Sequence, residues 1–305
     1  VAGNLVLGIV NACDAPARQS ILIQLVSGRQ DLPNAIALNS IMMNLARFVG
    51  PMIGGLLIAV LGERWGFGAN ALSYFGMIWA LSRIGSAGRM PAPLEKGLLQ
   101  QLAAGARYAY GFLPARSALL LLTATSLTVN SYVALMPWFA REAFHGDSSM
   151  LGVLISAAGL GAVTGMAYLA TRTGVRGLFG LIAMTSSLSG AALLVFSVSS
   201  SLWLALPALY CVGLGLMLTA ASTNTVLQTI VPDELRGRVA SLYVMSFIGM
   251  APVGSLVVGW VAERAGPPVT LAACGIAALA AAAVYASRLG AIRREIRPVY
   301  ERLGA

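Results

Sequence analysis

The stretch LWLALPALYCVGLGLMLTAASTNTVLQTI, residues 202–230, carries no charged side chain, and it stops at VPDELRGRVAS, residues 231–241, where two acids and two arginines fall together. Crossing the hydrocarbon of a bilayer takes about 20 apolar residues in a helix, and this run has them to spare. It shows no alternation of apolar and polar residues, as a barrel strand would, and it is built from Leu, Ala, Gly and Val. A helix satisfies its backbone hydrogen bonds within the segment, so it is the form such a run takes in lipid. The stretch therefore reads as one membrane-spanning helix followed by a short charged loop.

The same pattern recurs outward in both directions. Towards the C-terminus come Val239–Ala262, Val269–Ala286 and a basic, polar tail from Arg288 to Ala305. Towards the N-terminus come Leu178–Val198, Met150–Ala170, Ser117–Phe139, Trp65–Leu81, Ala35–Leu61 and a first run from Val1 to Cys13. That first run begins without a polar flank, as though the chain had been cut just before a helix. The longest polar stretch, Arg83 to Arg116, holds Pro91, Pro93 and an amphipathic segment near Leu98 to Phe112, and it divides three spans from six. The expected organisation is an N-terminal helical remainder over residues 1–82, a linker over 83–116, a six-helix half over 117–287 and a tail over 288–305. Composition agrees: 58% of residues are hydrophobic and 10% charged, against about 25% charged in a soluble domain. The predicted fold class is an all-α membrane protein, with the lipid bilayer as its first partner.

A net charge of +9 raises nucleic acid as a partner, and the placement of the charges removes it. One set of alternating loops holds Arg18 and Arg29; Arg83, Arg89, Lys96, Arg107 and Arg116; Arg172 and Arg176; Arg236 and Arg238; and five arginines of the tail, 16 in all. The other side holds Arg64, Arg141 and Arg264, and Arg47 lies inside a span. This is the positive-inside asymmetry. It predicts a cytoplasmic C-terminus in a multi-pass plasma-membrane protein, the bacterial cytoplasmic membrane in the reading below.

Catalytic and metal chemistry finds little material here. The chain has one histidine, His145, and three cysteines, Cys13, Cys211 and Cys274, each within an apolar run. No catalytic residue and no metal site is expected, and no secretory signal is seen at the N-terminus. Without a P-loop pattern the expected energy source is a proton or ion gradient, with no cofactor.

An internal repeat is also present. Ile53-Gly54-Gly55-Leu56 answers to Val253-Gly254-Ser255-Leu256, and Glu63-Arg64-Trp65-Gly66 to Glu263-Arg264-Ala265-Gly266, both offset by 200. Six spans separate the copies, so both share one orientation. Two parallel six-helix halves, the first short of three helices, are the plan this implies. In such plans the substrate site lies between the halves.

Polar residues inside apolar runs are the candidate binding groups. Arg47 is the one charge well inside a span; it either lines a water-filled cavity or pairs structurally with another helix. Asn39, Asn44, Asn70, Asn130, Tyr132, Asn224 and Gln228 are uncharged candidates. Asp14 and Arg18 flank Pro16 and form either part of a cytoplasmic gate or a hydrated, capped helix end. Asp233, Glu234, Arg236 and Arg238 occupy the related loop and are candidates for a latch of weak, reversible ion pairs. Gly50-Pro51-Met52-Ile53-Gly54-Gly55 bends a helix and lets a neighbour approach closely, as a gate or as ordinary packing. Ala251-Pro252-Val253-Gly254 is a weaker copy. Trp138, near a span end, reads as an interface anchor, and Gly159-Leu-Gly161 as a packing surface.

The run Asn11-Ala-Cys-Asp14-Ala-Pro16-Ala-Arg18-Gln19 with Asn34-Ala-Ile-Ala-Leu-Asn39-Ser40 resembles the fourth helix and following loop of the Major Facilitator Superfamily, nearest its enterobactin-exporter-like branch of drug and siderophore exporters. Val231 to Ser241 resembles that branch's tenth-to-eleventh loop. The resemblance covers essentially the whole chain and implies helices four to twelve of a twelve-helix protein. It implies that Gly50, Pro51, Gly54 and Gly55 form an antiporter-like motif, with Ala46 where the family often has Gly. It implies a cavity faced by helices four, seven and ten, hence by Asn11, Asn130, Tyr132, Asn224 and Gln228, with Arg47 a further candidate. Thr171-Arg172-Thr173-Gly174-Val175-Arg176 resembles a degraded cytoplasmic loop signature, Asp-Arg-x-Gly-Arg-Arg, so Arg172 and Arg176 join the candidate gate. The implied function is proton-coupled export of small amphipathic molecules, drug-like or siderophore-like, by a monomer working through alternating access. The competing class is a truncated, non-transporting membrane protein or assembly subunit; a membrane enzyme ranks third.

Overall fold

The computed structural model describes residue 42 and residues 63–83, 98–172 and 174–303, and among these every regular element is helical. Helix α1 covers Glu63–Arg83 and α2 Leu98–Gly111. A long interrupted span follows, made of α3 (Leu113–Thr128), a 3-10 stretch Asn130–Leu135, a short turn Met136–Trp138 and a π turn Phe139–Ala143. Then come α4 (Ser148–Thr171), α5 (Leu178–Ser197), α6 (Leu202–Ile230) and α7 (Asp233–Val244). A π turn, Met245–Gly249, carries α7 into α8 (Met250–Ala265); α9 (Pro267–Ser287) and α10 (Leu289–Leu303) complete the order.

Six of these segments are long and apolar enough to cross a membrane: Leu113–Ala143, Ser148–Thr171, Leu178–Ser197, Leu202–Ile230, Gly237–Ala265 and Pro267–Ser287. They correspond to the six spans read from residues 117–287. Helix α1 lies over the expected third span, yet it is not one of the six. Asn70, Tyr74 and its glycines and serines dilute its apolar content. The first two expected spans lie outside the described residues.

The bundle is organised around α6, which packs chiefly along α4 and α5, while α5 in turn packs along α9. The α4–α6 crossing is tight because both helices present glycine there. A Cβ on Gly213 would stand 2.7 Å from the carbonyl carbon of Ala158, and one on Gly161 would stand 2.8 Å from that of Tyr210. In lipid, where apolar contact between helices has no hydrophobic advantage over contact with acyl chains, such close backbone approach supplies the dispersion energy that holds helices together.

Two apolar clusters fill the interior. One gathers Tyr132, Met136, Phe139, Leu154, Phe196 and Leu209; the other gathers Leu119, Phe179, Ile182, Leu227, Tyr285 and Ile292. Between them lies a buried belt of hydroxyls. Thr125 Oγ1 and Ser186 Oγ are 3.3 Å apart, and Thr185 Oγ1 and Thr219 Oγ1 are 2.8 Å apart. The threonine hydroxyls also donate one helical turn back, Thr125 to Leu121 O and Thr185 to Leu181 O. The outer faces are apolar instead: Met184, Val198, Leu256, Ile276 and Val284 are exposed. Exposed apolar area on this scale belongs against lipid.

The two ends of the bundle differ. Trp138, Trp203 and Trp260 stand exposed at one end, with the Arg264 guanidinium 3.8 Å from the Trp260 ring centroid. Arg116, Arg172, Arg176, Arg238 and the arginines of α10 are at the other. Tryptophans at one end and an excess of arginines at the other fit the two faces of a bilayer, where tryptophan anchors at the headgroups and basic residues gather on one side.

Candidate functional site

Helix α6 ends at Ile230, and Pro232 turns the chain into α7. Pro232 forbids continuation of the α6 hydrogen-bond ladder. The chain doubles back, so the last turns of α6 face the first turns of α7. Between them is a shallow, open groove, too narrow to enclose a water-sized sphere, lined by Asn224, Leu227, Gln228, Val239, Ala240 and Tyr243. Asn224 and Gln228 are one helical turn apart and so share a face. Asn224 is half-buried, Gln228 is exposed, and Leu227 and Val239 are buried beneath them. Two carboxamides thus offer donors and acceptors above an apolar floor, with no charge in the lining. Its side chains can hydrogen-bond an uncharged polar group laid against that surface.

The other predicted cavity residues fall elsewhere. Asn130 and Tyr132 sit on the 3-10 stretch, near the middle of the interrupted span. Asn130 is half-buried; Tyr132 is 6% exposed and belongs to the apolar cluster with Phe139 and Phe247. Neither lines the α6–α7 cleft. Tyr243, unassigned from sequence, does line it and stacks on Phe247 at 6.3 Å between ring centroids, 28° from parallel. Its signal in the sequence is weak: an aromatic four residues after Val239, on a helix full of apolar side chains.

The two interrupted spans pack against each other. Gly254 on α8 lies so close to Leu127 and Ser131 that an added Cβ would stand 2.6 Å from Leu127 O. Ser126 Oγ donates to the Phe247 carbonyl at 2.6 Å, across from the interrupted span to the π turn. The chemistry of the turn explains this bond. In π register the donor for the residue 247 carbonyl is the N–H of residue 252. That residue is Pro252, which has no N–H. The hydroxyl of Ser126 takes its place.

Among the candidate gate residues, Arg172 Nη2 donates to Arg176 O at 3.1 Å, a backbone carbonyl and not a carboxylate. Thr171, standing where the resembled signature has Asp, turns its hydroxyl back to Tyr168 O at 2.8 Å. The loop between α4 and α5 closes through Gly174 and Gly177, with φ of 109° and 83°, values that side-chain-bearing residues adopt at a cost. Arg238 is half-buried at the α2–α7 contact, where a Cβ on Gly105 would stand 2.9 Å from Arg238 Cβ. Asp233, Glu234 and Arg236 begin α7; their side chains lie outside the described residues. So do Asn11, Asp14, Arg18, Arg47, Gly50, Pro51, Gly54 and Gly55. Among the described residues no cluster of His, Cys, Asp or Glu is suited to a metal ion.

Six apolar helices of membrane-spanning length, packed through close glycine contacts and two of them interrupted, define a polytopic α-helical membrane protein. Comparison with known proteins gives the family. The chain belongs to the transmembrane secretion effector family of the Major Facilitator Superfamily, whose profile matches residues 1–298. It is similar to the staphyloferrin A transporter of Staphylococcus aureus, 25% identical over 279 residues, covering 91% of this chain and 69% of the relative. It is also similar to the enterobactin exporter EntS of Shigella flexneri, 28% identical over 257 residues, 83% of this chain and 59% of the relative. The same exporter from Citrobacter koseri is 28% identical over 278 residues, 89% of this chain and 64% of that protein. The chain thus spans roughly three-fifths to seven-tenths of the length of these curated relatives.

Proposed function

We propose that this chain forms part of a secondary active exporter of siderophore-like, amphipathic small molecules, working by alternating access with its basic end in the cytoplasm. The observation that carries the reading is the cleft of Asn224, Gln228 and Tyr243 at that end, polar but uncharged over an apolar floor. A molecule taken up from the cytoplasmic leaflet or cytosol would meet it first. The names of the relatives support the substrate class: one transports staphyloferrin A and others export enterobactin.

The mechanism includes coupling to a proton gradient. Within the six described spans the only carboxylates are Glu142 and Glu263, both in the last turns at the tryptophan-rich end. The proton carrier in this reading is therefore assigned outside those spans, and Asp14 is the first residue to test. Arg172, Arg176 and Arg238 close the basic end in the outward-facing state; drug-like molecules are the secondary substrate class in this reading.

The test uses the full-length protein in inverted membrane vesicles energised by respiration. Accumulation of an iron-free siderophore should be abolished by an uncoupler and unaffected by removing ATP while respiration continues. Accumulation that follows ATP and ignores the uncoupler would overturn the mechanism. No accumulation of any siderophore, with the protein folded, would overturn the substrate class.

A further inference from the structure

The last helix, α10, follows α9 after a single residue, Arg288. Helix α9 crosses the membrane, so α10 begins at its surface and has no length of chain with which to leave. One face of α10 is tied down: Ile292 is 0% and Ile296 3% exposed, both within the apolar cluster that holds Phe179, Ile182 and Tyr285. That fixes the direction of the rest. Arg293, Arg294 and Arg297 are exposed on the remaining faces.

A second segment brings its own charge to the same place. Arg293 Nη2 would stand 3.7 Å from a Cβ on Gly180, and Arg172 Nη2 would stand 3.5 Å from one on Gly177. Gly177 and Gly180 are one turn apart at the start of α5, so guanidinium groups from the α4–α5 loop and from α10 converge there. Among the described residues, no carboxylate pairs with either. Like charges brought together without counter-charge repel one another, and the arrangement calls for an anion. At the end of a transmembrane bundle, the anion available at that depth and at high local concentration is the headgroup of an acidic phospholipid.

We propose that α10 and the α4–α5 loop form a docking surface for acidic phospholipid headgroups of the leaflet at the basic end, with Arg172 and Arg293 at its centre. The proposal concerns the membrane partner of the bundle and stands apart from the transport reading. Lipid there bridges α10 to α5 and holds the loop that carries Arg172 and Arg176.

The purified full-length chain in mild detergent is offered phosphatidylglycerol or phosphatidylcholine, and lipid retained is counted by native mass spectrometry. Phosphatidylglycerol is expected to be retained well above phosphatidylcholine, with that preference falling severalfold as salt rises from low to high ionic strength. Arg172→Gln and Arg293→Gln should each reduce the preference about fivefold, from roughly 1 kcal/mol for a basic residue at such a surface. The lysine pair Arg172→Lys with Arg293→Lys keeps the charge and should keep the preference. Arg141→Gln and Arg264→Gln, at the opposite end, should leave it unchanged. The proposal is overturned if the wild type retains both lipids equally, if retention ignores salt, or if the opposite-end variants lose as much as the central ones. If the glutamine variants fail to fold, the wild-type salt series and the lysine pair still decide.

Discussion

Removing the Ser126 hydroxyl isolates one bond whose necessity is written in the chemistry of Pro252. Ser126 is fully buried, and its Oγ donates to Phe247 O at 2.6 Å. The backbone donor that would serve this carbonyl is missing, so Ser126→Ala leaves it without a partner. An orphaned buried polar group costs about 1–3 kcal/mol, while measured inter-helix hydrogen bonds in membranes average about 0.6 kcal/mol with a maximum near 1.7. The expected loss is about 1–1.5 kcal/mol, roughly a five- to twelvefold shift in the unfolding equilibrium. The assay is a denaturation series of the purified protein, mild detergent against a denaturing one, followed by circular dichroism. The diagnostic is a double-mutant cycle. Pro252→Ala restores an N–H to the chain, and in that background Ser126→Ala should cost less, with a coupling of about 0.5 kcal/mol or more. If the two substitutions prove additive, the proline is not the reason for the bond and the reasoning fails.

Gly213→Val should lower folded yield sharply, because its side chain meets the Ala158 backbone and overpacking costs about 1–3 kcal/mol or more; Gly159→Val, which meets nothing within 4 Å, should be tolerated, as yield in membranes will show. Asn224→Ala and Gln228→Ala should each raise the half-saturating substrate concentration about threefold to tenfold without lowering expression, each removing one hydrogen-bonding group worth about 0.5–1.5 kcal/mol from the cleft; unchanged kinetics in both would remove the cleft from the pathway. Asp147 caps α4, and hydrogen bonds from the Ser149 hydroxyl and amide hold its carboxyl below the usual range. Its folded value is depressed, so the stability it contributes is present above the ordinary carboxylate value and is lost as pH falls through the folded value. Asp147→Ala should therefore lower the midpoint at pH 7, and the difference should shrink as pH falls through the depressed carboxyl value, in parallel melts of the two proteins over an acid series.

The spans were legible because lipid imposes a coarse rule: a crossing helix is an uninterrupted apolar run, as Leu178–Ser197 and Leu202–Ile230 are. Their ends were less so. The first span of the six starts at Leu113 and not at Ser117, because Pro114 fits the first turn of a helix and because Arg116 lies where basic side chains reach the membrane surface. The interruptions at Asn130–Leu135 and Met245–Gly249 could not be read, since nothing at 130–135 or 245–249 breaks a helix by itself. Pro137 and Pro252, which remove donors, lie beyond the affected turns. Asn224 and Gln228 stood out as amides in an apolar run, and the structure places both on one cleft. Tyr243 did not stand out, because a tyrosine among apolar residues looks the same whether it fills a core or lines a site. The approach of both Arg172 and Arg293 to the start of α5 brings in residues 121 positions apart and depends on the docking of α10, which no local pattern encodes.

The 3-10 stretch of the interrupted span has a geometric consequence. Each residue there advances about 2.0 Å along the axis, against about 1.5 Å in an α-helix. Over the six residues of Asn130–Leu135 this makes the span about 3 Å longer than the same chain wound as α-helix. Rewinding that stretch would draw Trp138 and the tryptophan-rich end toward the middle of the bundle by the same amount, with no tilt of the helix. Axial travel of this size, close to the diameter of a water molecule, follows from a change of hydrogen-bond register alone.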